Sequence, residues 1–192
     1  MSSLARTDAS DSDSARQLVR PLVRTRQVRE FTPEPPGEEQ LDAIIEVARW
    51  SGSSQNSQPW RFVVIRDLEV IRAIANAGMT LTRSLQTATT AIAIIMPVNA
   101  ERATSYAYDD GRVAERILIA ANMLGLGAAI AWIKPEARPD VTRLLGLPAD
   151  RMVRTVMAIG RPTPAALEPK SAPGTARRPR EEIVFEERWS GG

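Results

Sequence analysis

The chain has 192 residues, an apolar fraction of 43 % and a formal net charge of +2, which suits one domain with a core of its own. It contains no Cys and no His, which removes disulfides, thiolate or imidazole metal sites, and Cys-His or Ser-His-Asp catalysis in one step. Hard chemistry is left to carboxylates, Arg, Lys, hydroxyls or a bound organic cofactor that carries its own reactive atom.

Nearly all the cations are Arg, with Lys only at Lys134 and Lys170. They are mostly interleaved with acids, whereas a nucleic-acid binder needs a clustered basic face with aromatics. The first residues lack the apolar run of a signal peptide, and Asp8, Asp11 and Asp13 argue against a transit peptide. The longest apolar run, Ala91 to Val98, is too short to span a bilayer. The expectation is a cytoplasmic protein with no membrane partner.

In chain order, residues 1–13 read as a disordered tail of Ser, Asp and Arg. Ser14 is placed to cap a helix running to Arg24, with Leu18, Leu22 and Val23 on its inner side. Thr25 to Phe31 is extended, and Thr32 to Gly37, with three prolines, is a loop. Leu41, Ile44, Ile45 and Ala48 are spaced i, i+3, i+4, i+7 and predict an amphipathic helix from Glu38 to Trp50. Trp60 to Ile65 predicts the first strand, Asp67 caps a helix through Ala75, and Met79 to Gln86 is a weaker helical patch.

Thr89 to Met96 is apolar on both faces and predicts a central strand. Asp109 or Asp110 is expected to cap the next helix, whose stripe is Val113, Ile117, Ala120, Ala121 and Leu124. Read as caps, the two acids are not a catalytic pair. Gly125-Leu126-Gly127 ends that helix, so it is not a nucleotide-binding fingerprint, which opens one. Ala128 to Ile133 and Val153 to Ile159 are further strands, with a short helix from Glu136 to Leu145 between them. The core thus spans 14–160. Residues 161–192 form a proline-rich arm in which only Glu182 to Phe185 regains strand character.

Two features invite a ligand. Ser53 to Gln58 is a polar loop beside Trp60, which suits a planar heterocycle but also suits a plain helix-to-strand turn. Pro59 biases Gln58 toward an extended shape, and Trp60 reads as core. Arg24, Arg26 and Arg29 cluster at one end of the chain, and Arg177, Arg178 and Arg180 at the other. Together they could clamp one phosphate through guanidinium forks, or they are two solvated basic patches.

Four segments in order resemble the FMN-dependent nitroreductase family: Arg26-Gln27-Val28-Arg29-Glu30-Phe31, then Ser53 to Phe62 with its Asn-Ser-Gln-Pro-Trp, then Asp110-Gly111 with Ala120 to Gly127, then Ile159-Gly160-Arg161-Pro162. The resemblance implies an α+β fold, a mainly antiparallel sheet flanked by helices, in a homodimer whose C-terminal arms are exchanged. It implies FMN as cofactor and NAD(P)H as reductant.

By the same resemblance, Arg26, Gln27 and Arg29 line the flavin site, with Arg29 near the pyrimidine edge, where a cation favours the reduced form. Ser53 and Asn56 reach the flavin of the other subunit. The backbone of Ala131 and Trp132 passes beside N5, and Arg26, Arg29 and Arg177 clamp the phosphate, with Arg178 expected to join them from the arm. Thr25, Gln27 and Gly52 depart from the family's usual Arg, Ser and Pro. The expected activity is ping-pong reduction of nitroaromatics, quinones or similar small oxidants. The alternative is a flavin storage protein of the same fold with little turnover.

Overall fold

The computed structural model describes residues 7–172 and 174–190, with side chains from Ser14 onward except Met79. Residues 1–6 of the expected tail lie outside the described residues. The first helix, α1 (Thr7–Arg24), begins upstream of Ser14 and carries Pro21 inside it. The extended segment 25–31 follows, then α2 (Glu38–Arg49), β1 (Arg61–Ile65), α3 (Leu68–Gly78) and a 3-10 stretch over Met79–Gln86. After these come β2 (Thr90–Pro97), α4 (Ala103–Met123), β3 (Gly127–Trp132), α5 (Arg138–Leu144), β4 (Arg151–Gly160) and the short α6 (Pro164–Leu167).

The four strands form one antiparallel sheet in the order β1-β2-β4-β3. The α+β architecture read from the sequence is the observed one. β2 is central and buried on both faces, as its unbroken apolar run requires. Its residues alternate between two cores. Ala91, Ala93 and Ile95 join Ile71, Ile74, Leu85 and Val141 on the face covered by α3 and α5. Ile92 and Ile94 join Ile44, Ala48, Val113, Ile117 and Trp60 on the face covered by α2 and α4. Trp60 is core, as read. Asp67 caps α3, accepting the Glu69 N–H at 2.8 Å.

Three local expectations fail. Asp109 and Asp110 do not cap α4. They lie inside it, almost wholly buried, because the helix begins at Ala103. Gln58 is not extended: its φ is +44°, and its N–H donates to Ser53 Oγ at 2.9 Å, closing the loop. Glu182 to Phe185 is not a strand in the single chain. Arg180–Glu182 is a 3-10 turn, and Phe185 packs on Trp189 with ring centroids 4.5 Å apart. A strand needs an edge to pair with, and among the described residues 182–185 pair with none.

The apolar side of α1 is also unlike the expectation. Leu18 and Val23 are 79 % and 77 % exposed, so they face no core of this chain.

Candidate functional site

Two glycines place the site. A Cβ on Gly127 would lie 2.7 Å from Val28 Cγ1, and one on Gly160 would lie 2.9 Å from the Phe31 Cβ. Their bare backbones let the segment 26–32 lie directly on the ends of β3 and β4. Val28 N–H donates to Ala128 O at 2.8 Å, Thr32 N–H to Arg161 O at 2.8 Å, and Phe31 bridges to Pro162. With Val28 and Phe31 buried inward, Arg26, Gln27 and Arg29 are left on the outer side.

They line a cavity of about 1050 Å³. The arm returns over it, so Lys170 and Arg177 join the wall, as do Arg24 from the end of α1 and Arg83 from the 3-10 stretch. Among the described residues Glu30 and Glu115 are the acids of the wall, so six cations face two carboxylates. The two Arg groups at opposite ends of the chain therefore converge on one space. Arg83 and Lys170 were not legible from the sequence. Arg83 sits in a stretch that reads only as weak helix, and Lys170 is an isolated charge among prolines.

Within the wall, Arg26 is tethered. Its guanidinium donates to Glu168 O at 3.3 Å and to Leu167 O, pinning the arm to segment 26–32. Gln27 Oε1 accepts from Ile130 N–H at 3.2 Å and from Arg29 Nη2 at 3.3 Å. Thr25 Oγ1 donates to Pro21 O at 3.0 Å and so closes the end of α1. Among the described residues none of the six cations forms an ion pair with a carboxylate.

The other residues singled out in the sequence lie elsewhere. Arg178 turns away from the cavity, 4.0 Å from Glu182. Ser53 and Asn56 do not line it. Their loop is held at the other end of α4, where the buried Asp109 carboxylate accepts Ser54 N–H at 3.1 Å. Gln55, Asn56 and Gln58 all have positive φ, an arrangement that costs non-glycine residues on the order of 1 kcal/mol each.

Ala131 is buried, and Trp132 is 42 % exposed at the end of β3. Because Ala128 and Ile130 turn their polar groups to the open edge and Ile133 N–H points to β4, strand alternation turns the Ala131 N–H to β4 and the Trp132 N–H to the edge.

Among the described residues Asp110 is the one strongly perturbed acid. Burial pushes its carboxyl up to about 6, while the Thr155 hydroxyl, at 2.9 Å, and the nearby Arg154 and Arg138 pull the other way. Its Oδ1 has no hydrogen-bond partner. It contacts the sheet and not the cavity.

Residues 22–161 match the Nitroreductase family model. The chain belongs to the nitroreductase family. A provisionally named NADH dehydrogenase/NAD(P)H nitroreductase of Archaeoglobus fulgidus is 28 % identical over 153 residues, covering 76 % of this chain and 86 % of that protein. Among solved structures, an FMN-dependent nitroreductase from Clostridium difficile superposes with a TM-score of 0.76 at 23 % identity, covering 88 % of this chain and 98 % of its own. An NADPH:FMN oxidoreductase from Vibrio harveyi, solved with NAD+, gives 0.75 at 23 % identity, covering 89 % and 77 %. These two likenesses establish the nitroreductase fold. Among the described residues no helix is long and apolar enough to cross a membrane.

Proposed function

We propose that this nitroreductase-family protein is an FMN-dependent oxidoreductase that takes hydride from NAD(P)H and reduces nitroaromatics, quinones or similar small oxidants. The observation that carries the reading is the convergence of Arg26, Arg29 and Arg177 on one cavity. The wall fits the group. A phosphate monoester brings close to two negative charges, and the cavity offers a surplus of cations unspent on carboxylates. FMN, when bound, supplies the hydride chemistry that a chain without Cys or His lacks.

The residues then do the holding. Arg26, already tied to the arm, and Arg177 hold the phosphate. Arg29 supplies fixed positive charge on the flavin side of the wall, which favours the reduced form. No separate dinucleotide fingerprint is present, so reductant and oxidant take turns at one site and the kinetics are ping-pong.

The active unit is a homodimer with exchanged arms. Leu18 and Val23 on α1, and Ile183 and Trp189 on the arm, are apolar side chains left outside the chain's own core, with exposures of 60 % or more. The strained loop carrying Ser53 and Asn56 then serves the partner's cavity.

The purified protein's absorption spectrum tests the reading. A yellow protein bleached by NAD(P)H under argon supports it. A yellow protein that never bleaches favours flavin storage, and a colourless protein that cannot be reconstituted with FMN overturns it.

A further inference from the structure

We propose that Gln27 is the positioning residue of the cavity: its amide oxygen fixes Arg29 and closes the open edge of β3, leaving only its amide N–H groups to meet a ligand. The part concerning the ligand rests on the FMN reading above. An amide oxygen has two acceptor sites, and on Gln27 both are taken, by Ile130 N–H at 3.2 Å and by Arg29 Nη2 at 3.3 Å. Turning the amide over would set its NH2 against two donors, so the orientation follows from the bonds. Gln27 lines the cavity, and its Nε2 makes no bond among the described residues. What it presents to a ligand is therefore donors only, and the ligand atom facing it is an acceptor such as a phosphate or carbonyl oxygen.

The bond to Arg29 matters because Arg29 is exposed and has no carboxylate partner among the described residues. A free arginine samples many rotamers. Tied to Gln27, its charge has one address. The bond to Ile130 matters because β3 is a sheet edge, and Gln27 satisfies the N–H that the edge would otherwise leave open. A serine, usual at this position in the resembled family, is shorter by two carbons and carries no amide to divide between acceptor and donor tasks.

The test uses Gln27→Ala, Arg29→Ala, their combination, and Gln27→Glu in the full chain. In protein reconstituted with FMN, Gln27→Ala lowers the flavin midpoint potential, and the double variant falls no further than Arg29→Ala alone, because Gln27 acts through Arg29. An unchanged potential in Gln27→Ala, or two effects that simply add, overturns the proposal.

Amide exchange in the flavin-free protein gives a second readout. Ile130 exchanges at least tenfold faster in Gln27→Ala, but at the wild-type rate in Gln27→Glu, which keeps the acceptor and loses the donors. Unchanged Ile130 exchange in Gln27→Ala overturns the proposal even if the protein takes up no flavin. Failure of the wild type to take up FMN, with Ile130 responding as stated, sinks the flavin reading and leaves the positioning role standing.

Discussion

The buried carboxylate of Asp109 receives the Ser54 backbone N–H, at 3.1 Å to Oδ1 and 3.3 Å to Oδ2. One acid near the start of α4 thus holds the start of a loop in which three non-glycine residues have positive φ. Asp109 also lies 3.6 Å from Arg112, one turn on. Removing the carboxylate takes away the tether and leaves the Ser54 N–H without its acceptor. Asp109→Ala should cost about 1–3 kcal/mol in chemical denaturation and speed amide exchange at Ser54. Exchange at Ser54 equal to wild type would show that the loop holds itself.

The neighbouring Asp110 gives a pH signature. Its folded-state carboxyl titrates near 6 because burial disfavours the charge, while in the unfolded chain it titrates near 4. Between those values the folded state binds the extra proton, so the contribution is stabilising at low pH and is lost as pH rises from about 4 to about 6. The size is on the order of 3 kcal/mol. Asp110→Asn, which cannot ionise, should flatten this part of the stability-against-pH curve. A curve in the variant that still falls over the same interval places the titrating group elsewhere.

Gly160 and Gly111 should respond to alanine in opposite directions. At Gly160 the new methyl meets Phe31 at 2.9 Å. Overpacking there should destabilise by about 1–3 kcal/mol, and by moving segment 26–32 it should weaken FMN binding as well. At Gly111, inside α4, nothing lies within 4 Å, so alanine should stabilise by roughly 0.5–1 kcal/mol through helix propensity alone. Thermal melts of both variants read the contrast.

Arg177 and Arg178 are adjacent but differ in environment, since Arg177 lines the cavity and Arg178 faces Glu182. Arg177→Ala should weaken FMN binding roughly tenfold, about 1.4 kcal/mol, with little loss against riboflavin, which lacks the phosphate. Arg178→Ala should leave both affinities near wild type. Equal losses in the two variants would mean that the arm acts by general charge.

The arm beyond Arg180 contributes exposed Ile183, Val184 and Trp189. Truncation there should shift the protein toward monomer in sedimentation while Arg177 remains in place. A truncated chain that sediments as the intact one does would show that the arm does not carry the proposed dimer.

The sequence already carried the elements whose local pattern and burial agree. The i, i+3, i+4, i+7 spacing of Leu41, Ile44, Ile45 and Ala48 marks α2, and the uninterrupted apolar run marks β2 as a strand with neighbours on both sides. The two Arg groups were also visible as candidate phosphate ligands. Periodicity and residue type are local properties, and in these places nothing distant competes with them.

The rest was decided only when the chain folded. Asp109 and Asp110 read as caps because a charged pair before a glycine has a cheap local use. They are buried instead because their partners, Ser54 N–H and the Thr155 hydroxyl, come from other elements. Arg177 parts from Arg178, and Gln27 gains both Ile130 and Arg29, through the path of the arm and the bare backbones of Gly127 and Gly160. The charge of a side chain is written in its own codon, but the cost of burying it depends on groups from remote parts of the sequence, and only the tertiary fold brings those together.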